Sequence, residues 1–158
     1  MARRLVFNAK DVVGFAPPEY EDTFVSRLLV DRGGVGSEAL IVNHFTLKPG
    51  KKTGESPHPE PYDEVYYVLR GTGVVRLGED LEPFDVEPNT VVFIPGGTKH
   101  SLENPTDKDI EILTAVRKAV GDTMTLDLDF SQSLSLAHHR PEPGYHRRVD
   151  GTQLMEFI

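Results

Sequence analysis

Pro57-His58-Pro59-Glu60-Pro61-Tyr62-Asp63-Glu64 carries three side chains of metal-ligand type, and Pro95-Gly96-Gly97-Thr98-Lys99-His100 carries a fourth. Side chains alternate along an extended strand, so residues two apart face the same way. His58, Glu60 and Glu64 are spaced by two and by four, which in an extended segment puts all three on one side. His100 must come from a second strand further along the chain. A closed or nearly closed β-barrel would bring the two stretches together.

The four residues form a chemically coherent set. Neutral imidazole and carboxylate together suit a hard or borderline divalent ion. Two histidines with one carboxylate and open positions fit non-haem Fe(II), and a second carboxylate shifts preference toward Mn(II) or Fe(II), with Zn and Ni still accommodated. Two carboxylates buried together without a cation oppose one another in a low-dielectric site, and a metal removes that cost. The expected cofactor is one divalent transition metal ion per chain (Fe, Mn, Ni, Zn or Cu).

Around this set the chain reads as strands. Thr23–Val30, Ala39–Leu47, Glu64–Arg70, Val74–Leu77, Phe84–Val86, Val91–Ile94, Lys99–Glu103, Ile110–Val116 and Met124–Phe130 are short runs rich in β-formers. Gly/Pro/Asn punctuation separates them, as at Gly71-Thr72-Gly73 and Pro88-Asn89. Val74–Leu77 is expected to return against Glu64–Arg70 as a hairpin. A short strand is expected near Leu5–Phe7. No convincing helical period precedes residue 131, so the pattern favours an all-β sandwich or barrel.

Bulk properties narrow the partners. The 158 residues suit one domain with a real core. The net charge of -8 argues against nucleic acid or an anionic membrane as the main partner. No apolar run approaches the length of a membrane span. The start Met1–Phe7 lacks the apolar region of a secretory signal. With no cysteine there is neither a disulfide framework nor a thiolate site. A cytoplasmic protein acting on a small-molecule substrate is expected.

The two ligand stretches resemble the motifs of the cupin superfamily. The first motif is written Gly-x5-His-x-His-x3,4-Glu-x6-Gly, and His58, Glu60, Glu64 and Gly71 fit its later spacing. The second is Gly-x5-Pro-x-Gly-x2-His-x3-Asn, matched by Pro95, Gly97, His100 and Asn104, with Asn89 at the place of the first glycine. Asn is the best substitute for glycine at positive φ. Two features depart from the pattern. Glu60 replaces the second histidine, and the glycine before His58 is displaced.

The resemblance implies an all-β, cupin-type double-stranded β-helix (a jelly-roll barrel). It would span residues 21–130, with an N-terminal arm over 1–20 and a C-terminal extension over 131–158. It implies His58, Glu64 and His100 as metal ligands. Glu60 stands as a fourth ligand by position, or as a catalytic acid or base beside Tyr66. It implies a metal-dependent enzyme acting on a small oxygen-rich organic substrate. A dioxygenase-type oxidoreductase is favoured; the alternatives are an isomerase, lyase or decarboxylase, or a non-catalytic sugar-like binding barrel. A homodimer is expected, because such barrels pair through their outer sheets.

Blander roles compete for some of these residues. Glu64 could simply pair with Arg70 or Arg76. Tyr62 and Tyr66 share the parity of Glu64 and are either core aromatics or pocket groups. His44 reads as a structural strand histidine. His138, His139 and His146 resemble a metal cluster in composition only.

Overall fold

The computed structural model describes residues 5–31, 35–37, 39–55 and 62–117. Eight strands occur among them: β1 (Phe24–Val30), β2 (Leu40–Leu47), β3 (Glu64–Arg70), β4 (Gly73–Leu77), β5 (Glu82–Val86), β6 (Val91–Ile94), β7 (His100–Glu103) and β8 (Ile110–Arg117). Each falls within a residue or two of its expected run. The Met124–Phe130 run and the whole 131–158 extension, with His138, His139 and His146, lie outside the described residues.

The strands make a five-stranded sheet, ordered β1-β2-β8-β3-β6, and a three-stranded sheet, ordered β5-β4-β7. Every pairing is antiparallel. Alternation along each strand decides what is buried. Tyr66 and Val68 of β3, Val92 and Ile94 of β6, and Ile110 and Ile112 of β8 face inward from the larger sheet. Val75 of β4, Val86 of β5 and Leu102 of β7 meet them from the smaller one. Two antiparallel sheets closed over one apolar core form a jelly roll.

The expected β3–β4 hairpin does not form. β3 pairs with β6 and β8, whereas β4 pairs with β5 and β7. Gly71-Thr72 is therefore a corner where the chain leaves one sheet for the other. Gly71 sits at φ +80°, and a Cβ there would collide with the Asp109 carbonyl. A Cβ on Gly73 would lie 2.6 Å from the Glu103 carbonyl oxygen. Only glycine lets the backbone pass so close at both ends of the corner.

The arm also differs from expectation. Leu5–Phe7 is not a strand. The arm instead carries two single turns of 3-10 helix, Ala9–Asp11 and Pro18–Tyr20, the first capped by the Asn8 side chain accepting from the Lys10 N–H. Phe15 then bridges antiparallel to Ser26 of β1, with N–H···O bonds of 2.9 and 2.8 Å. Val12, Phe15 and Ala16 are buried by this docking.

Candidate metal centre

Glu64 opens β3 and His100 opens β7, so the two residues come from facing sheets. Both are almost wholly buried, at 4% and 7% exposure. His100 Nε2 lies 3.2 Å from Glu64 Oε2. The competing partners proposed for Glu64 are engaged elsewhere. Arg70 pairs with Glu111, and Arg76 reaches Glu103 at 2.9 Å. His44 lies 3.3 Å from that same Glu111, away from the barrel interior, and is structural as expected.

The turn before β7 sets the imidazole. Gly97 at φ +79° and the Thr98 N–H bond to the Pro95 carbonyl (3.0 Å) fold the loop back on itself. That exposes the Thr98 carbonyl to His100 Nδ1 at 2.8 Å. A carbonyl can only accept, so Nδ1 carries the proton and Nε2 is the atom left for Glu64 or for a metal. Asp63 secures the same turn, its Oδ1 accepting from the Gly96 N–H at 3.1 Å while its carbonyl accepts from the Arg117 N–H of β8. One residue thus ties the His100 loop to the Glu64 strand.

The surroundings of the pair favour a protonated imidazole. Burial pushes the His100 pKa down, but the hydrogen bond to Glu64, the bond to the Thr98 carbonyl and the Glu64 charge together carry it above the ordinary imidazole value. Tyr66 lies beside the pair, its ring edge-on to His100 with centroids 6.1 Å apart. Burial, and then the Glu64 charge, hold its phenol well above its ordinary pKa, so it remains a neutral donor. A carboxylate oxygen facing a neutral Nε2 lone pair would be repulsive. A proton or a cation between them resolves this, so the donor set fits a divalent metal.

Of the sequence-predicted ligands, the structure brings Glu64 and His100 together, with Tyr66 beside them. His58 and Glu60 lie outside the described residues. Among the described residues no group of three or more His, Cys, Asp or Glu side chains could hold an ion. Sequence reasoning missed Asp63, which alternation turns away from Glu64. The one available signal was its place directly before a predicted ligand and ahead of a glycine-rich turn whose Gly96 N–H needs an acceptor.

A family model described as a cupin domain matches residues 43–116. Over that segment the chain is similar to a cupin domain. It is 32% identical over 79 residues to an uncharacterized protein of Methanocaldococcus jannaschii, covering 50% of each chain. It is 29% identical over 89 residues to the oxalate-binding protein of Thermotoga maritima, covering 56% of this chain and 70% of that one. The chain thus spans about half the length of the Methanocaldococcus relative. Among solved structures, the polyketide cyclase RemF from Streptomyces resistomycificus superposes with a TM-score of 0.61 at 22% identity, covering 74% of this chain and 80% of that one. At that identity the likeness speaks for the jelly roll alone. Among the described residues no helix is long and apolar enough to cross a membrane.

Proposed function

We propose that this protein binds one divalent transition metal ion through Glu64 and His100, with His58 and, as a fourth ligand, Glu60 completing the set, and acts on a small oxygen-rich substrate. The observation that carries this reading is the buried Glu64–His100 pair, held from opposite sheets with Nε2 aimed at the carboxylate. A bound ion would supply Lewis-acid polarisation of a substrate oxygen and, if redox-active, chemistry with O2. The chain's own residues do the rest. Thr98 and Asp63 fix the imidazole, the interior of the jelly roll limits water, and Tyr66, its ring edge-on to His100, is the candidate donor of a proton or hydrogen bond to the substrate. Glu60 is the second acid/base candidate.

A dioxygenase is the favoured reaction, because two imidazoles with carboxylate and open positions suit Fe(II). The test is elemental analysis of protein purified without an affinity tag, followed by oxygen-electrode measurement on the loaded form with a panel of small acids. About one equivalent of Fe, Mn, Ni, Zn or Cu is expected. Substrate-dependent O2 uptake would establish the oxidoreductase; turnover without O2 uptake would move the protein to an isomerase, lyase or decarboxylase. No metal, even after anaerobic reconstitution, would defeat the enzyme reading and leave a binding barrel, the class suggested by the oxalate-binding relative's name.

The assembly proposed with this reading is a homodimer. β6 is the outermost strand of the larger sheet among the described residues, and its outward side chains Val91 and Phe93 are 61% and 58% exposed. They lie opposite Tyr67 and Val65 of β3, with exposed Leu69 further along that strand. An apolar sheet face at a strand edge that is outermost among the described residues invites pairing with its own copy about a two-fold axis. Light scattering at micromolar concentration should give a dimer mass, and Phe93→Glu should shift it toward monomer. A monomeric wild type would rule the dimer out.

A further inference from the structure

The chain that leads into the first ligand stretch breaks its pairing with the smaller sheet at Thr53. Gly50, at φ +68°, turns it from the end of β2 onto the outer edge of β7. There Lys52 bridges antiparallel to Glu103, and the Asn104 N–H donates to the Lys51 carbonyl at 2.8 Å. That register sets Thr53 opposite Leu102 as a hydrogen-bonded pair, which in a regular ladder exchanges two backbone bonds. One of the two is made: the Thr53 N–H donates to the Leu102 carbonyl at 2.9 Å. The other is diverted. The Leu102 N–H donates at 2.9 Å to the Thr53 hydroxyl oxygen in place of the Thr53 carbonyl. The hydroxyl spends its own proton on the Gly54 carbonyl at 3.2 Å.

The diversion matters because of parity. Leu102 faces the core, whereas Glu103 faces outward with Arg76, its ion-pair partner. Opposite residues of a ladder share a face. Lys52 therefore belongs to the outer face, where it is exposed, and odd-numbered positions after it belong to the inner one. Continued along β7, the ladder would set Glu55 opposite His100 and turn His58 and Glu60 outward. A one-residue slip brings such positions to the other face. The Thr53 hydroxyl makes room for that slip. With the Leu102 N–H satisfied by a side chain, the Thr53 carbonyl is released and the pairing stops at one bridge. Valine has nearly the same shape but no acceptor, so the Leu102 N–H would draw the backbone carbonyl back onto the edge.

We infer that Thr53 is a positioning residue of the metal centre: its hydroxyl ends the ladder on β7 and so frees the chain to present His58 and Glu60 toward Glu64 and His100. This rests on the metal-centre reading above, in which His58 is a ligand. Thr53 holds no ion itself and acts through His58, five residues further on. The role belongs to the hydroxyl and not to the bulk of the side chain.

The test is Mn(II) titration of wild type, Thr53→Val, Thr53→Ser, His58→Ala and the Thr53→Val/His58→Ala double variant, with free ion read by electron paramagnetic resonance and the metal-free proteins melted in parallel. Thr53→Val should bind Mn(II) on the order of tenfold more weakly than wild type, as when a metal site loses an outer support. Its metal-free midpoint should stay within about 4 °C of wild type, the effect of about one hydrogen bond. Thr53→Ser, which keeps the hydroxyl, should bind within about twofold of wild type. In the His58→Ala background the effect of Thr53→Val should shrink to about twofold or less, because changes that act through one group do not add. Wild-type affinity in Thr53→Val overturns the inference, and so does a Thr53→Ser that binds no better than Thr53→Val. An equal loss in both backgrounds also overturns it, since the hydroxyl would then support β7 and His100 instead of His58. So does a Thr53→Val that no longer melts cooperatively, which would make the hydroxyl a folding element. Full affinity in His58→Ala, or a wild type that takes up no Mn(II), removes the metal-centre reading itself and this inference with it.

Discussion

His100→Ala should release the bound ion, lowering metal affinity by well over 100-fold. The expectation rests on geometry. Loss of an outer-shell partner already costs roughly 10–100-fold in affinity, and His100 is itself a proposed ligand whose Nε2 faces Glu64 from the opposite sheet. Glu64→Gln keeps the shape and removes the charge, so it should weaken binding in the same direction while leaving the fold intact. Metal analysis after dialysis against a weak chelator reads both variants, with the thermal midpoint as the check on folding. Full metal retention by a folded His100→Ala would show that the ion sits elsewhere. The wild type should also lose metal as pH falls, because a proton and the ion compete for one Nε2 lone pair. The partners that raise the His100 pKa extend this competition above the range of an ordinary imidazole. Below that pKa, affinity should fall by about tenfold per pH unit for each proton displaced.

Thr98 carries the second part of the same argument. Its backbone carbonyl, not its side chain, fixes the His100 tautomer, so no substitution at 98 removes the acceptor. Asp63 is the accessible lever, since its carboxylate holds the Gly96 N–H. The turn thus depends on the Asp63 carboxylate, on Gly97 at positive φ and on the Thr98 N–H bond to the Pro95 carbonyl.

Much of this was legible in the chain because strands announce themselves locally. Short runs of β-formers between Gly, Pro and Asn located all eight described strands, and parity correctly turned Glu64 and Tyr66 inward. Asn89, read as the stand-in for a glycine, does adopt positive φ, at 75°. What alternation cannot encode is partnership. Glu64–Arg70 and Val74–Leu77 are adjacent in sequence with a glycine turn between them, which is also how a hairpin reads. Their separation into two sheets depends on non-local neighbours, β8 and β6 for one and β5 and β7 for the other. The Leu5–Phe7 strand failed because the arm's order comes from the Asn8 cap and the Phe15 bridge, both set by contacts rather than by composition.

Asn104→Ala should be the most damaging single change in the smaller sheet, lowering stability by about 3 kcal/mol and the thermal midpoint by roughly 10 °C. The side chain is fully buried and spends its whole hydrogen-bonding capacity on three parts of the fold. Its Nδ2 donates to the Leu47 carbonyl at the end of β2 (3.0 Å) and to the Lys108 carbonyl just before β8 (2.7 Å). Its Oδ1 accepts from the Thr106 N–H at 3.1 Å and from the Thr106 hydroxyl at 2.8 Å. Alanine would strand the Leu47 carbonyl in the interior, and that desolvated acceptor carries most of the cost. Thr106→Ala removes only a half-buried hydroxyl and should cost about 1 kcal/mol. Asn104→Asp is the sharper test, because it keeps the size of the side chain and the Oδ1 that accepts both Thr106 bonds but has no N–H for the two carbonyls. Facing them, an ionised carboxylate is disfavoured, so its folded-state pKa rises above the unfolded value. A group raised in this way contributes stability below its unfolded pKa and loses it as pH climbs through the folded one. Asn104→Asp should therefore melt close to wild type in acid and fall well below Asn104→Ala at neutral pH. Equal midpoints for Asn104→Ala and wild type would mean that the turn after β7 is held by its backbone bond from the Asn104 N–H to the Lys51 carbonyl (2.8 Å) and not by the side chain.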